Sequence, residues 1–564
     1  MSTVGISFGS PTSGQGFDVS STVSQIIANL QAVETPWDTQ LTALQSQDTA
    51  LTSIGSDLST LSSALEPLTD FAGVLSQKEG SSSNTDVLEL TSAASNAAAG
   101  SYTVEVGALA QTSSYYSSAI ASSDVIASGG TLVLTIGGVA QTITIDSSND
   151  SLSTLAAAIN AGSYGVTASV ITTATGEELS LVSNTAGAAG QITVGGGLTD
   201  ATAGKAISFT QGQPGQDASL KVDGVPVTSA SNTITGAIPG VTFQLVSAAP
   251  GSAVQVEITN DNSAIESAVS SFVSAYNTVL GDLNAQEGND ASGNAQPLYG
   301  SPTVAALQED LQSALSFTQA ANAVGTTSAI GTADILSGSL SIAAGSGSAT
   351  TVNVPTNGTL ADLATAINNT ANLGVTASVI TSGTSATLSL VNSTAGSTGA
   401  ITVNAGSLTD TTSGAAVTFG SPQSNAVTSL TQLGISVNDD GTLSLNTDTL
   451  DSLLDSNYQD VVNFLEPSAS YTSFGGNFTN ALNTLGSSSA SDGVVYLALQ
   501  SNSSNESQLN TNLSNENAYI SSQQSELTTQ LNEANYTLQE IPSQINEVNE
   551  LYSAITGYNE NPNG

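Results

Sequence analysis

The sequence predicts a multidomain α+β protein in which coiled-coil or helical-bundle regions from both chain ends come together, with antiparallel β-rich modules inserted between them. Three observations support this fold class. Apolar residues recur every seven positions near both ends, apolar and polar residues alternate in the middle, and part of the middle occurs twice. A period of seven is typical of paired helices, and a period of two is typical of half-buried strands. The 564 residues suffice for about four domains.

The N-terminal heptad array contains two series of eight positions at intervals of seven, which start at Val23 and at Ile26. Fourteen of these sixteen positions are apolar, and the two exceptions, Gln40 and Gln47, follow one another in the second series. So regular an apolar stripe predicts a helix whose seam packs against another helix.

Proline and capping residues predict where these helices begin and end. Pro36 is expected to break the first helix into one segment at about 18–35 and another at about 37–75, because proline lacks the N–H of a helical hydrogen bond. Asp18 is the expected N-cap of the first segment. Near the other chain end, Pro542 is expected to interrupt the C-terminal helix in the same way.

The C-terminal heptad array is fully apolar only in its second half. One series continues from Leu513 to Ile555, but the other becomes apolar at Leu531 and is polar upstream. We therefore expect a firm seam after about residue 527. Heptads alone do not locate the partner helix, so packing inside one bundle and a coiled coil between chains both remain open. The seam residues that we select as candidates for oligomer or filament contact are Val23, Ile26, Leu30, Val33, Trp37, Leu527, Leu531, Leu538, Ile541, Ile545, Val548 and Tyr552.

Between the arrays, residues 86–261 alternate apolar and polar side chains in short runs separated by Gly, Pro and Asp. The run TLVLTIGGVAQTITI shows this alternation on both sides of Gly137-Gly138, which predicts a β-hairpin with a two-residue turn. Helical periodicity returns at 264–287 and at 303–319. The middle is therefore expected to be antiparallel sheet followed by two helices.

The middle of the chain also contains an internal repeat. The segment SLSTLAAAIN at 151–160 matches TLADLATAIN at 359–368, and GVTASVI at 165–171 recurs unchanged at 374–380. Shortly afterwards, LSLVSNTAG returns as LSLVNSTAG. Because two distant copies are too few for a solenoid, we predict one small module, built from a hairpin, a helix and two further strands, that is inserted at two places.

The composition excludes several classes of function. The chain has 3 Lys, no Arg and 46 acidic residues, which gives a formal net charge of −43, although only 9% of the residues are charged. Without cations the surface cannot neutralise nucleic-acid phosphates or bind anionic membrane surfaces. The chain also lacks His and Cys, so triads built on these residues, zinc sites and thiol chemistry are excluded. No apolar stretch is long enough to span a membrane.

The sequence offers no convincing catalytic, cofactor-binding or metal-binding site. The acidic pairs Glu177-Glu178 and Asp439-Asp440 could form a glycosidase dyad, but both lie in segments with the composition of solvent-exposed turns. The loop at 287–294 offers oxygen ligands in a spacing that fits no EF-hand. The N-terminus shows no Sec-type signal peptide, and its polar leader is typical of type III export substrates and of many cytoplasmic proteins.

Four segments of the chain carry a resemblance to a known family. They are GFDVSSTVSQIIANLQAVETPWDTQL, LTSAASNAAAGSYTVEVGALAQ, the stretch 215–280, and LTQLGISVNDDGTLSLNTDTLDSLL. The stretch 215–280 is the most specific, with a Gly-Gln-Asp-Ala start, Asp-Gly and Pro-Gly turns and a Phe-Val-x-x-Tyr-Asn helix. Together they resemble the flagellar filament cap family, also called hook-associated protein 2. The second module and the scarcity of Lys and Arg depart from the family pattern.

The resemblance implies a homo-oligomeric ring at the tip of the flagellar filament, secreted and exported without a Sec signal. Such a cap promotes the folding and polymerisation of flagellin and prevents its loss, and it is not an enzyme. The implied partners are further copies of the chain, flagellin, the hook-filament junction, the flagellar type III export apparatus and a cytoplasmic export chaperone. Nucleic acid, cofactors and membrane insertion are not expected. A flagellin-like filament subunit and a surface adhesin are the alternatives.

The patterns and the resemblance together predict how the chain divides into domains. Segments distant in sequence are expected to share a domain, because both chain ends return to the same helical region. The predicted parts are a terminal coiled-coil region (1–40 and 505–564), a helical-bundle domain (41–85, 262–325 and 426–504), a β-rich domain (86–125 and 210–261), a flagellin-type inserted module (126–209) and a second inserted copy of that module (326–425).

Overall fold

The computed structural model describes residues 16–468, 471–486 and 493–557. The predicted polar leader up to residue 15 and the polar tail after residue 557 lie outside the described residues. The helices are α1 (Val19–Gln31), α2 (Thr35–Thr69), α3 (Leu152–Ala161), α4 (Asn262–Gln286), α5 (Pro302–Leu315), α6 (Leu360–Asn368), α7 (Thr447–Leu465), α8 (Phe474–Leu485) and α9 (Val494–Thr556).

The chain divides into two compact units. One unit consists of residues 1–66 and 269–564, and the other consists of residues 67–268. The first unit contains most of the helical residues together with the second copy of the repeated segment, whereas the second unit is built mainly from strands and contains the first copy. The two copies of the repeat therefore belong to different units.

The ends of the N-terminal helices follow from local hydrogen bonding. Asp18 is the N-cap of α1, as predicted, because its Oδ1 accepts a hydrogen bond from the Ser21 N–H (3.0 Å). The break between α1 and α2 lies at residues 32–34, just before the predicted position. Pro36 lies in the first turn of α2, where its missing N–H costs no helical hydrogen bond. α2 ends at Thr69, earlier than predicted.

The predicted interruption at Pro542 is wrong, because α9 continues through this residue from Val494 to Thr556. A proline inside a helix removes one backbone hydrogen bond and costs about 3 kcal/mol. The backbone hydrogen bonds on both sides of the proline remain, and in a helix of 63 residues they are sufficient to keep the two parts continuous.

The unit at residues 67–268 is formed by four antiparallel sheets. Its strands are β1 (Lys78–Ser82), β2 (Leu88–Ala93), β3 (Gly100–Ala108), β4 (Thr112–Ser117), β5 (Thr131–Ile136), β6 (Val139–Thr144), β7 (Val166–Thr173), β8 (Gly176–Ala186), β9 (Ile192–Asp200), β10 (Lys205–Ile207), β11 (Phe209–Gln213), β12 (Ala218–Val222), β13 (Val225–Ser229), β14 (Thr233–Thr235), β15 (Val241–Leu245) and β16 (Ala253–Asn260). Sheets β1-β16-β3-β12-β13 and β14-β15-β2 enclose a core around Phe243 and Val256. Sheets β10-β9-β5-β6 and β11-β4-β8-β7 pack with α3 around Leu155 and Leu181.

The predicted hairpin at Gly137-Gly138 is confirmed. β5 and β6 pair antiparallel, and Ile136 lies opposite Val139 next to the turn. The φ angles of the two glycines are +58° and +82°. A two-residue hairpin turn of type I′ requires positive φ at both positions, which glycine adopts without steric cost.

The other unit contains shorter strands. They are β17 (Asn322–Gly325), β18 (Ile330–Gly331), β19 (Leu336–Ser337), β20 (Ser339–Ala344), β21 (Thr350–Asn353), β22 (Thr376–Ser382), β23 (Ser385–Asn392), β24 (Ile401–Asn404), β25 (Thr409–Asp410), β26 (Gln423–Ser424), β27 (Ile435–Val437) and β28 (Leu443–Leu445). β17 to β24 and α6 surround a core that includes Leu363 and Leu388, and β25 and β26 pair with strands of this module outside the core. β27 and β28 form a separate hairpin that follows this module in the chain.

The repeated sequence folds twice into the same arrangement. β5, β6, α3, β7, β8 and β9 follow one another in the first copy, and β20, β21, α6, β22, β23 and β24 follow one another in the second. Both helices begin with a capping box, at Ser151 and at Thr359. The chain is therefore an α+β multidomain protein with a duplicated module, as predicted. The division into five parts, with its residue boundaries, stays a prediction.

Candidate functional site at the paired chain ends

The two ends of the chain pack against each other as antiparallel helices. The Phe17 N–H donates a hydrogen bond to Oδ1 of Asn535 (2.9 Å), whereas Nδ2 of Asn502 donates to Oδ1 of Asp48 (2.7 Å). Residue numbers thus rise along α1 and α2 while they fall along α9. The apolar cluster that joins α1 to α9 consists of the buried side chains Phe17, Val19, Val23, Ile27 and Ile520, with Leu30, Leu527, Leu531 and Leu538 packed against them.

The structure brings together some of the twelve predicted seam residues and leaves others apart. Those in the cluster between α1 and α9 are Val23, Leu30, Leu527, Leu531 and Leu538. Ile26, Trp37 and Ile541 are half-buried. Val33 lies in the turn between α1 and α2, and 51% of its surface is exposed. The assignment of all twelve residues to oligomer or filament contacts stays a prediction.

Four buried members of the cluster are absent from the seam residues selected from the sequence, namely Phe17, Val19, Ile27 and Ile520. A strict count of seven selects Ile26, but an α-helix has 3.6 residues per turn, so the neighbouring isoleucine can face the partner helix instead. The second of two consecutive isoleucines, and an apolar residue directly before the N-cap, are the signals that could have identified these positions. Ile520 belongs to the regular apolar series upstream of the expected firm seam.

Beyond Leu538 the apolar stripe of α9 has no cover from α1. The exposed large apolar side chains in this part of the helix are Ile545, Val548, Leu551, Tyr552 and Ile555, whose exposed fractions range from 39% at Ile545 to 75% at Ile555. The predicted seam residues Ile545, Val548 and Tyr552 thus lie on an open surface. We call residues 541–555 of α9 the open stripe.

The polar interruptions of the N-terminal seam also lie against α9. A groove between α2 and α9 is lined by the side chains of Gln40, Ala43, Leu44, Gln47, Asn505, Gln508 and Leu509. Gln40 and Gln47 are the two polar exceptions in the heptad array. Amide groups on both helices can exchange hydrogen bonds with each other or with water, so the seam tolerates polar residues here.

An aromatic core holds the helical bundle that continues from these ends. The ring centroids of Phe272 and Phe478 are 5.3 Å apart in an edge-to-face arrangement, and Phe464 and Phe474 stack at 5.3 Å. Burial raises the pKa of Tyr276 to about 12. On α2, burial together with the neighbouring carboxyl group of Asp282 raises the pKa of Asp57 to about 6.

Three polar side chains of the specific stretch 215–280 form hydrogen bonds with backbone groups of other segments. Oδ1 of Asp217 accepts a hydrogen bond from the Ala188 N–H (2.7 Å), and Oδ1 of Asp223 accepts one from the Thr103 N–H (2.8 Å). Asn277, which ends the Phe-Val-x-x-Tyr-Asn motif, binds both backbone groups of Leu443, at 2.7 Å and 2.8 Å. These polar residues therefore hold the fold together.

The acidic residues considered as catalytic or metal-binding groups show no such arrangement. Glu177 and Glu178 lie at the start of β8, so the expectation of a turn is wrong, whereas Asp439 and Asp440 lie in the turn between β27 and β28 as expected. Oδ1 of Asp290 accepts hydrogen bonds from its own loop, which lower its pKa. Across the described residues, no cluster of three or more His, Cys, Asp or Glu could hold a metal ion.

Among the described ranges, no helix is both long enough and apolar enough to cross a membrane. On the exposed surface of β12 and β3, Nζ of Lys221 forms an ion pair with Oε2 of Glu105 at 3.1 Å, and this pair lowers the pKa of Glu105.

Sequence comparison matches the chain to two family models. The model described as "Flagellar hook-associated protein 2 C-terminus" matches residues 215–412 and 415–550, and the model described as "Flagellar hook-associated protein 2 N-terminus" matches residues 15–113. The first of these matches alone extends over more than half of the chain. It begins with the stretch 215–280 that carried the most specific resemblance.

Characterised relatives agree with the family models. The chain is 32% identical over 324 residues to the B-type flagellar hook-associated protein 2 of Pseudomonas aeruginosa, with 52% of this chain and 67% of the relative covered. It is 30% identical over 345 residues to flagellar hook-associated protein 2 of Escherichia coli, with 56% and 72% covered.

Among solved structures, the chain is similar to three domains of the flagellar cap protein FliD from Escherichia coli, with 22% identity, a TM-score of 0.46, and coverage of 80% of this chain and 99% of that one. FliD from Pseudomonas aeruginosa gives 25% identity, a TM-score of 0.30, and coverage of 37% and 95%. The sequence matches decide the assignment: this chain belongs to the flagellar hook-associated protein 2 family of flagellar cap proteins.

Proposed function

We propose that this protein acts at the filament tip as a homo-oligomeric ring that promotes the folding and polymerisation of flagellin and prevents its loss to the medium. The observation that carries the proposal is the open stripe of α9, an apolar helix surface that continues the paired seam and has no partner from α1. Its partners in this proposal are helices of neighbouring copies, of flagellin and of the hook-filament junction.

The open stripe is suited to helix packing. Upstream, Leu527, Leu531 and Leu538 on the same face of α9 are half-buried against the cluster with α1. Downstream, Val548 and Ile555 expose 64% and 75% of their surface. Burial of one large aliphatic side chain contributes about 1.5–3 kcal/mol, so covering several of them favours association of α9 with another apolar helix surface.

The charge of the chain limits what the partner contact can use. With 3 basic residues against 46 acidic ones, two copies of the chain can form few salt bridges with each other. Apolar packing and side-chain amides remain as the main attractive groups. We therefore expect moderate salt to strengthen the contact between copies, since it screens the repulsion between chains that each carry a net charge of −43. No covalent chemistry is part of the proposed function; the cap works through differential binding among packing states.

We also propose that the protein leaves the cell through the flagellar type III export apparatus, assisted by a cytoplasmic chaperone, and acts outside the cell. Membership of a flagellar family supports this route. Blocking flagellar export by an unrelated mutation should keep the protein inside the cell. Appearance of the protein in the medium of such a strain at normal amounts would contradict the proposed route.

The central experiment is deletion of the gene followed by complementation. Deletion should give bare hooks and flagellin in the medium, and full-length filaments in the deletion strain would overturn the proposal. Complementation with Val548→Asp/Ile555→Asp should fail to restore filaments, because two carboxylates would be desolvated in the packed stripe. The matched control, Ser543→Asp/Asn546→Asp, adds the same charge at exposed positions outside the heptad series and should restore filaments.

The alternative of a flagellin-like filament subunit predicts a different assembly. Electron micrographs of the purified protein should show small closed rings if it is a cap, since a head-to-tail contact that closes on itself stops growth. Long fibres would instead favour a filament subunit.

A further inference from the structure

Two strands with the same sequence lie at the edges of two different sheets. β7 is the last strand in the order β11-β4-β8-β7, and β22 pairs only with β23. Both strands contain most of the segment GVTASVI, which stands at 165–171 and at 374–380. An edge strand presents unpaired N–H and C=O groups that can pair with a strand of another chain.

The hydrogen-bond pattern shows which residues direct their backbone groups outward. The Asn184 N–H donates to the Gly165 carbonyl (2.9 Å), and Ala168 lies opposite Leu181. In an antiparallel pair, residues alternate between those bonded to the neighbouring strand and those directed away from it. Ala168, three residues after Gly165, therefore directs its N–H and C=O to the free edge, and Ala377 has the equivalent place in β22.

At each of these alanines an asparagine side chain makes the two hydrogen bonds that a neighbouring strand would otherwise make. Nδ2 of Asn160 donates to the Ala168 carbonyl and the Ala168 N–H donates to Oδ1 of Asn160, both at 2.8 Å. Asn368 makes the same two bonds to Ala377, at 2.8 Å and 2.7 Å. A carboxamide has the donor and acceptor of a peptide group, so it occupies the first fully outward backbone positions of each edge, near the start of the strand.

The usual means of protecting an edge are missing from these segments. Gly165–Ile171 contains no charged residue and no proline, and it is rich in β-branched residues. Natural sheets commonly block their edges with Lys, with inward-pointing charges or with Pro, but this chain has 3 Lys and no Arg in total. A short uncharged β-branched segment is otherwise prone to pair with copies of itself.

We propose that Asn160 and Asn368 close the free edges of β7 and β22 against strand addition by the same segment of a second copy of this chain. The partner is a second copy because each chain presents the identical segment twice, and an antiparallel pair of identical strands is self-complementary. The asparagines are also exposed to solvent, so they lie where an incoming strand would arrive.

The test compares purified full-length variants by sedimentation velocity over a range of concentrations. Asn160→Ala/Asn368→Ala should form species that grow with concentration, with an average mass about twofold or more above that of the unmodified protein. Asn160→Asp/Asn368→Asp should keep the mass distribution of the unmodified protein, because each carboxylate still accepts from the alanine N–H and places a charge on the edge. Adding Ser169→Lys and Ser378→Lys to the alanine variant should reverse the association, since both serines are exposed on the edge strands.

An asparagine that makes the same pair of hydrogen bonds to an alanine, away from these edges, provides the control. Asn232 makes two bonds to the backbone of Ala110, at 2.7 Å and 3.0 Å, and Ala110 follows the end of β3. Asn232→Ala should lower the melting temperature without new association. The proposal is overturned if Asn160→Ala/Asn368→Ala keeps the mass distribution of the unmodified protein while its circular dichroism is native, or if Asn232→Ala associates equally. If the double variant unfolds, the single variants Asn160→Ala and Asn368→Ala decide by the same criteria, because each leaves the other module intact.

Discussion

The two copies of the inserted module have the same interior and different exteriors. Leu155 and Leu363 are fully buried at equivalent positions of α3 and α6. On the outer face of the first copy, Tyr116 and Val182 expose 42% and 38% of their surface. In the second copy Ser389, which corresponds to the half-buried Ser180, is only 1% exposed. Duplication thus preserved the core while the outer face was changed.

The way in which each module joins the chain explains why this difference is tolerated. The chain enters the first copy through β4 and leaves it through β11. These two strands pair with each other, and Ser117 lies opposite Phe209. The second copy is entered through β17 and left through β26, which also pair. Because both chain connections lie side by side, a module can be added without separating the elements on either side of it.

The largest expected effect tests whether the two interiors are equivalent. Leu155→Ala and Leu363→Ala should each lower the local free energy of unfolding by about 2–5 kcal/mol, because each leaves a cavity in a fully packed core. Hydrogen exchange of peptides from each module, followed by mass spectrometry, measures this free energy separately for the two copies. A loss that differs between the copies by more than about 2 kcal/mol would show that their cores are not equally packed.

A smaller effect is expected at a buried carboxylate that both copies use to close a turn. Oδ1 of Asp200 accepts from the N–H groups of Thr202 and Ala203 (2.8 and 2.9 Å), and Asp410 accepts from the Thr412 N–H (2.8 Å) and from the Ser413 hydroxyl. Alanine at either aspartate should cost about 1–3 kcal/mol, since backbone donors lose their acceptor. Hydrogen exchange of the turn peptides is again the measurement.

The same turn gives a pH dependence in the second copy. The Ser413 hydroxyl, with the N–H groups of the turn, lowers the pKa of Asp410. A lowered pKa in the folded state stabilises the module above the ordinary Asp value of about 3.9, and this contribution disappears as the pH falls through the folded-state pKa. The stability difference between the unmodified protein and Asp410→Asn should therefore shrink below about pH 4. A difference that stays constant down to pH 2 would contradict this assignment.

Much of the fold could be predicted because its signals are local. The cap at Asp18, the hairpin at Gly137-Gly138 and the duplicated module each follow from a few neighbouring residues or from direct repetition. Pro36 and Pro542 were harder to interpret, because a proline ends a helix only where its missing hydrogen bond is not compensated by the rest of the helix.

The candidate site was less predictable because it depends on where the partner helix stops. The heptads extend to Ile555, yet α1 covers α9 only to Leu538, and a repeat of seven contains no information about the end of the partner. Likewise, the bonds of Asn160 and Asn368 join a helix to a strand, and only the recurrence of the asparagine at the end of both helices gives a sequence signal.

The difference between the outer faces can be tested at the equivalent serines. Ser389 Oγ is buried and has no hydrogen-bond partner within the described part of the chain. Ser389→Ala should raise the stability of the second copy by about 1 kcal/mol, because a desolvated hydroxyl without a partner is removed. Ser180→Ala should change the first copy by less than about 0.5 kcal/mol, as is usual for surface substitutions. Equal effects in the two copies would mean that their outer faces are equally solvated.

The smallest expected effect concerns the capping boxes, which differ at the N-cap (Ser151 and Thr359) and at the third helical position (Thr154 and Asp362). In the first copy Thr154 Oγ1 accepts from the Ser151 N–H (3.0 Å), and in the second Oδ2 of Asp362 accepts from the Thr359 N–H (2.8 Å). A carboxylate in the first turn also interacts favourably with the helix dipole, which is worth about 0.3–1 kcal/mol. Thr154→Asp should therefore stabilise α3, and Asp362→Thr should destabilise α6, each within that range. The hydrogen-exchange shifts should have opposite signs and weaken in high salt, because the dipole term is screened; shifts of the same sign would mean that the side chain acts through packing and not through its charge.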